Sequence, residues 1–155
     1  MIQRIQTIYL LAIVILSGFV IFSPLADLID KTNNLIYFVD YHGISILRPN
    51  GIFIESSVWG LTTISSLVPI LAFSSIFLYK NRSRQIQSTI VNMVILFCFY
   101  AVLALYLSSA CVRLHTEWHL RAVTVIPVVN LILSYLAIVA IRKDDKLVKS
   151  LDRLR

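Results

Sequence analysis

Lys80-Asn81-Arg82-Ser83-Arg84-Gln85 is short, basic and free of acids, and an apolar run long enough to cross a bilayer lies on either side of it. Three cations so close together are hard to move through lipid, so the loop is expected on the cytoplasmic side of a membrane. Before it, a run from about residue 57 to 79 reads as one membrane helix. After it, a second run covers about 88 to 112. Further out, charge-free runs at about 7–26 and 122–141 complete a set of four expected spans.

The composition agrees. Hydrophobic residues make up 58% of the chain and charged residues 14%, against about 25% charged in a soluble domain; mean hydropathy is +0.83. A cleavable leader is the rival for the first run. Its apolar part would be only about 7–15 residues long, and Pro24 is badly placed for cleavage after Ala26. The run therefore reads as a retained signal-anchor helix that Pro24 and Asp27 end.

Four spans place both termini on one side. Ten of the 14 Lys and Arg residues then share the side of the basic loop: Arg4, Lys80, Arg82, Arg84 and the six of the tail. Lys31, Arg48, Arg113 and Arg121 fall opposite. The bias puts both termini in the cytoplasm, with Trp59 and Trp118 at the outer interface. The net charge of +6 is thus a topological signal and implies no nucleic-acid partner.

The outer loop at 27–56 is the one sizeable polar stretch. Ile44 to Leu47 and Ile52 to Glu55 flank Arg48-Pro49-Asn50-Gly51, a turn sequence, and predict a small β-hairpin. The tail at 142–155 repeats Leu147, Val148, Leu151 and Leu154 at helical spacing among charges. It reads as a basic amphipathic helix that lies on anionic lipid or continues the fourth span.

Chemistry-bearing residues are scarce. The spans hold no ionisable group away from their ends, which argues against ion pumps, proton relays and coupled transporters. Cys98 and Cys111 are about 20 Å apart along a helix, too far for a disulfide. Asn92 and Asn130 are read as interhelix hydrogen-bonding groups. Pro69, among the serines and threonines of the second span, suggests a kink or a lining segment. His115, Glu117 and His119, with His42 on the same side, are the best metal candidates. They depart from the helical zinc-protease motif, in which Glu follows the first His directly; here Thr116 does. No catalytic residue and no cofactor is expected.

Met1-Ile2-Gln3-Arg4-Ile5-Gln6-Thr7, Ile76 to Arg82, Ala140 to Ser150 and Asp152-Arg153-Leu154-Arg155 together resemble domain-of-unknown-function family 4293, small four-span membrane proteins of Bacteroidetes-type bacteria. The resemblance implies a bacterial inner-membrane location and carries over no catalytic residue.

The expected fold class is therefore an all-α integral membrane protein. A single four-transmembrane-helix bundle over residues 1–155 would carry a small extracytoplasmic β-hairpin and a cytoplasmic C-terminal amphipathic helix. The expected function is that of a non-enzymatic scaffold or accessory subunit. It would dock a partner or anionic lipid through Arg4, Lys80, Arg82, Arg84, Arg142, Lys143, Arg153 and Arg155. The alternative is a small-molecule, lipid or quinone binder or transporter built on the Ser/Thr/Pro-rich second span. Partners expected are the bilayer and another membrane protein or a second copy.

Overall fold

A computed structural model describes residues 3–30, 35–48 and 51–152. Four helices are present: α1 (Gln3–Ile21), α2 (Trp59–Phe77), α3 (Arg82–Leu114) and α4 (Ile126–Asp152). Five strands accompany them: β1 (Ala26–Asp30), β2 (Leu35–Val39), β3 (Ile44–Arg48), β4 (Gly51–Ser56) and β5 (Glu117–Leu120). The helices contact one another in a ring, α1 on α2, α2 on α3, α3 on α4 and α4 back on α1.

The buried positions recur at alternating steps of three and four. On α1 they are Gln6, Leu10, Ile13, Ser17 and Val20; on α3, Gln85, Thr89, Asn92, Leu96, Phe99 and Leu103. On α4 they are Asn130, Ser134, Ala137, Ile141 and Asp144. This near-3.5 repeat is the spacing that keeps one seam of a helix facing its neighbours. The outward positions are apolar instead: Ile8, Ile15 and Phe19 on α1, Ile70 and Phe73 on α2, Leu105 and Val112 on α3, Ile132 and Tyr135 on α4. Amides, hydroxyls and a carboxylate lie inside while isoleucine and phenylalanine face out. That inverts the soluble pattern and suits a lipid surround.

The all-α expectation is overturned by an antiparallel sheet of five strands in the order β4-β3-β2-β1-β5. β3 and β4 do pair, with Leu47 opposite Ile52 and Ile46 opposite Phe53, but as one end of that sheet. The turn residues Pro49 and Asn50 lie outside the described residues. The physical reason is size. Two strands alone are marginal in water, whereas several strands with one packed face are stable. Here Ala26, Leu28, Tyr37, Val39, Ile44 and Ile46 form that face, in one core with Phe99, Leu103, Leu107 and Ala110 of α3.

The span count changes too. Three helical segments, Trp59–Phe77, Arg82–Leu114 and Ala122–Asp145, are long and apolar enough to cross a membrane; the apolar part of α1, Ile5–Ile21, is shorter. The first span stops early because Ser23 precedes Pro24, and a residue before proline is driven out of the helical region. The chain then enters β1, so Ala26 belongs to the sheet. The expected short outer loop after the third span contains β5, which pairs with β1 along Ala26↔Leu120 to Ile29↔Glu117. Of the two readings of the tail, continuation of the fourth span is the one observed: α4 runs unbroken to Asp152.

Two joints fasten the sheet to the helices. Leu25 accepts backbone and side-chain hydrogen bonds from Arg121 N and Thr124 Oγ1, at 3.0 and 2.6 Å. Thr62 Oγ1 at the start of α2 donates to Tyr41 O at 2.8 Å. Tyr41 lies in the β2–β3 turn, where Asp40 Oδ1 accepts from the backbone N–H of both His42 and Gly43.

Candidate functional site

The two ends of the bundle differ in chemistry, and the basic end carries the candidate site. It is built where α1 begins, α3 begins and α4 approaches its end. Asp144 falls on the buried stripe of α4, one step beyond Ile141. That places its carboxylate against Arg82 in the first turn of α3: Arg82 Nη2 lies 3.0 Å from Oδ2. Arg82 Nη1 also donates to the Asp144 backbone carbonyl at 2.9 Å. From α1, Gln6 Nε2 donates to Asp144 Oδ2 at 3.3 Å. One carboxylate therefore ties together the ends of three helices, and the cation neutralises it in place.

Behind this clamp the buried seam stays polar. Gln85 is buried with its Oε1 unpartnered, and Asn92 is 1% exposed with neither amide atom bonded among the described residues. Thr89 Oγ1 donates to Gln85 O, and the Ser75 and Ser88 hydroxyls are hydrogen-bonded to each other at 2.7 Å between α2 and α3. Further along, Asn130 Nδ2 donates to Ser17 Oγ at 3.0 Å, joining α4 to α1, while Asn130 Oδ1 has no partner among the described residues. The two asparagines thus act differently: Asn130 is an interhelix hydrogen-bonding group, and Asn92 is a buried amide left open.

The eight basic residues named from the sequence separate in space. Arg82 points inward and is engaged with Asp144, so it is a structural cation and not a free one. Arg84, Arg142 and Lys143 are exposed at the same end, Arg84 on α3 and the other two on α4. Arg4 and Lys80 are placed by backbone alone, in α1 and in the 3-10 turn Leu78–Lys80. Arg153 and Arg155 lie outside the described residues. Gln6 and Asp144 were not singled out from the sequence. The steps from Asn130 through Ser134, Ala137 and Ile141 to Asp144 are the signal that marks the acid as inward-facing.

At the opposite end the histidine candidates do not assemble. His115 caps α3 in the left-handed region, φ 51°. Glu117 and His119 share one face of β5, a strand exposed along its length. His119 stands opposite Asp27, whose carboxylate already accepts from Arg121 Nε at 2.8 and 3.0 Å. Among the described residues no three His, Cys, Asp or Glu side chains come together as a metal-binding group. Cys98 and Cys111 are both free thiols.

These features define a class: a membrane-embedded helical protein with an antiparallel sheet fastened to one end of its helices and a charge-clamped basic face at the other. Within that class the chain belongs to the family described as domain of unknown function DUF4293, whose model matches residues 2–154. No curated protein matches it.

Proposed function

We propose that this protein is a non-enzymatic membrane scaffold or accessory subunit that docks an acidic partner protein through its basic end. The supporting observation is the unbroken run of α4 to Asp152 beside the Arg82–Asp144 clamp. At about 1.5 Å per residue, 27 helical residues extend about 40 Å, past a ~30 Å hydrocarbon core. The last turns of α4 therefore project from the membrane, with Arg142 and Lys143 exposed at their base and Arg84 on the adjacent helix. A projecting helix with its base held rigid suits a protein surface better than a lipid surface, on which a helix would lie flat. By the positive-inside rule this end faces the cytoplasm, and the family resemblance implies that the membrane is the bacterial inner membrane.

The small-molecule alternative gains no support from α2. Thr63, Ser66, Ser74 and Ser75 donate to carbonyls of their own helix. Ser65 borders a void of about 10 Å³ with Ser17, Phe99 and Asn130, room for one water molecule.

The test is charge reversal. The full-length chain and its Arg84→Glu, Arg142→Glu, Lys143→Glu variant are isolated in mild detergent and weighed intact by native mass spectrometry. A partner held at fixed stoichiometry by the parent and lost from the variant is the expected result. Equal retention by both places docking elsewhere. Loss of binding to anionic vesicles, with no protein partner in either sample, makes the basic end a lipid contact instead.

A further inference from the structure

The sheet end has a groove whose lining differs from the rest of the membrane-facing surface. It measures about 310 Å³ and lies between the last turns of α3 and the paired ends of β3 and β4. Tyr106, Ser109, Ala110 and Arg113 line one wall, following the helical steps of three and four, and Ile44 and Ser56 line the other. Among the described residues of the lining, Arg113 is the one charged side chain. Among the described residues Arg113 makes no ion pair, in contrast to Arg82 and Arg121. The Tyr106 hydroxyl stands at the mouth of α2, where a Cβ built on Gly60 would lie 3.2 Å from it. A cation that makes no ion pair among the described residues, with a tyrosine hydroxyl in the same groove, is a recognition set for a phosphate oxyanion.

Position supplies the second half of the reasoning. Arg84 and Arg113 lie on the same helix, about 43 Å apart along its axis at ~1.5 Å per residue. That is the ~40–45 Å that separates the headgroup layers of a bilayer. With Arg84 in one layer, Arg113 stands in the other. Apolar surface is exposed at this depth: Val112, the neighbour of Arg113 in the chain, and Trp59 at the start of α2 are each 76% exposed. Trp is a residue of the membrane–water interface. The groove therefore sits at headgroup depth, on an end of the helices that also exposes apolar surface suited to acyl chains.

We infer that the Arg113 groove between α3 and the β3–β4 edge binds the phosphate of a membrane phospholipid, with its acyl chains running over Val112 and Trp59. Arg113 pairs with the phosphate charge and the Tyr106 hydroxyl donates to one of its oxygens. The site is independent of the docking proposed at the opposite end.

The experiment uses the full chain in neutral detergent, stripped of lipid, in an Arg84→Gln, Arg142→Gln, Lys143→Gln background that removes exposed cations at the basic end. Dioleoyl phosphatidylglycerol is titrated in and occupancy is read by native mass spectrometry. One phospholipid is expected to bind, and Arg113→Gln to lower its affinity about tenfold or more, as loss of a charge-assisted contact requires. Arg113→Lys should keep most of the binding, because a point charge still serves a phosphate. Ser109→Trp, which fills the groove and leaves the charge, should lose it; this variant decides the matter if Arg113→Gln does not fold. Equal affinity in Arg113→Gln and its parent overturns the assignment. So does equal binding of dioleoylglycerol, which has no phosphate. Inorganic phosphate that binds alone and displaces the lipid at millimolar concentration would make this a free-anion site and overturn the lipid assignment.

Discussion

Asp144 shows how few side chains hold the basic end together. It is 7% exposed and accepts from Arg82 and Gln6 at once. Removing one member of a buried ion pair strands the other, at a cost of about 3–5 kcal/mol; partial exposure here places the expected loss for Asp144→Ala at the lower end. The thermal midpoint in detergent should fall accordingly. Arg82→Ala in that background should cost much less than it does alone, since the two residues act as a unit. Asn92 has the opposite character. Its amide is buried without a partner among the described residues, so Asn92→Leu should raise stability by about 1–2 kcal/mol, the desolvation cost of unpaired polar groups. A lower midpoint for Asn92→Leu would mean that the amide is bonded, for instance to an internal water.

Among the elements, the β2–β3 turn depends on one residue. Gly43 has φ +151°, and a Cβ built there would lie 2.3 Å from Ser56 O. Gly43→Ala should therefore cost about 2–3 kcal/mol. It should open the sheet to proteolysis while the helical circular dichroism stays unchanged, because the bundle has its own core in Leu10, Ile13, Val68, Ala72, Leu96 and Ala137. The legibility of the elements followed the range of their contacts. Apolar runs and the basic loop marked α2, α3 and α4, because lipid-facing helices advertise themselves by composition. The β3–β4 pairing was legible in Arg48-Pro49-Asn50-Gly51, a local turn signal. β5 was not legible: Glu117-Trp118-His119-Leu120 is four residues long, is exposed throughout, and becomes a strand by pairing with β1, far away in sequence. β1 was masked for a different reason. Leu25 and Ala26 are as apolar as the helix before them, so composition alone ran the first span through Pro24. In the site, Arg82 and Arg84 looked equivalent as cations; the helical geometry that turns one inward and one outward is set by Asp144 on a helix more than sixty residues later.

The whole molecule is polarised along its axis, with a charge clamp and exposed cations at one end and a sheet with a groove of about 310 Å³ at the other. Substitutions at the two ends should consequently behave independently: Arg84, Arg142 and Lys143 reversal should leave lipid occupancy at Arg113 unchanged, and Arg113→Gln should leave partner retention unchanged. Paired native mass spectra of the two variants check both. The sheet also has a consequence in time. β1 and β5, neighbours in space, are separated in the chain by three strands and two long helices. Synthesis at about 5–20 residues per second puts roughly 4–18 seconds between the emergence of Asp30 and that of Leu120. Throughout that interval the β1 edge is bare. A ribosome paused within α3 would prolong it, leaving the half-made protein with an adhesive strand outside the membrane until its own last strand arrives to cover it.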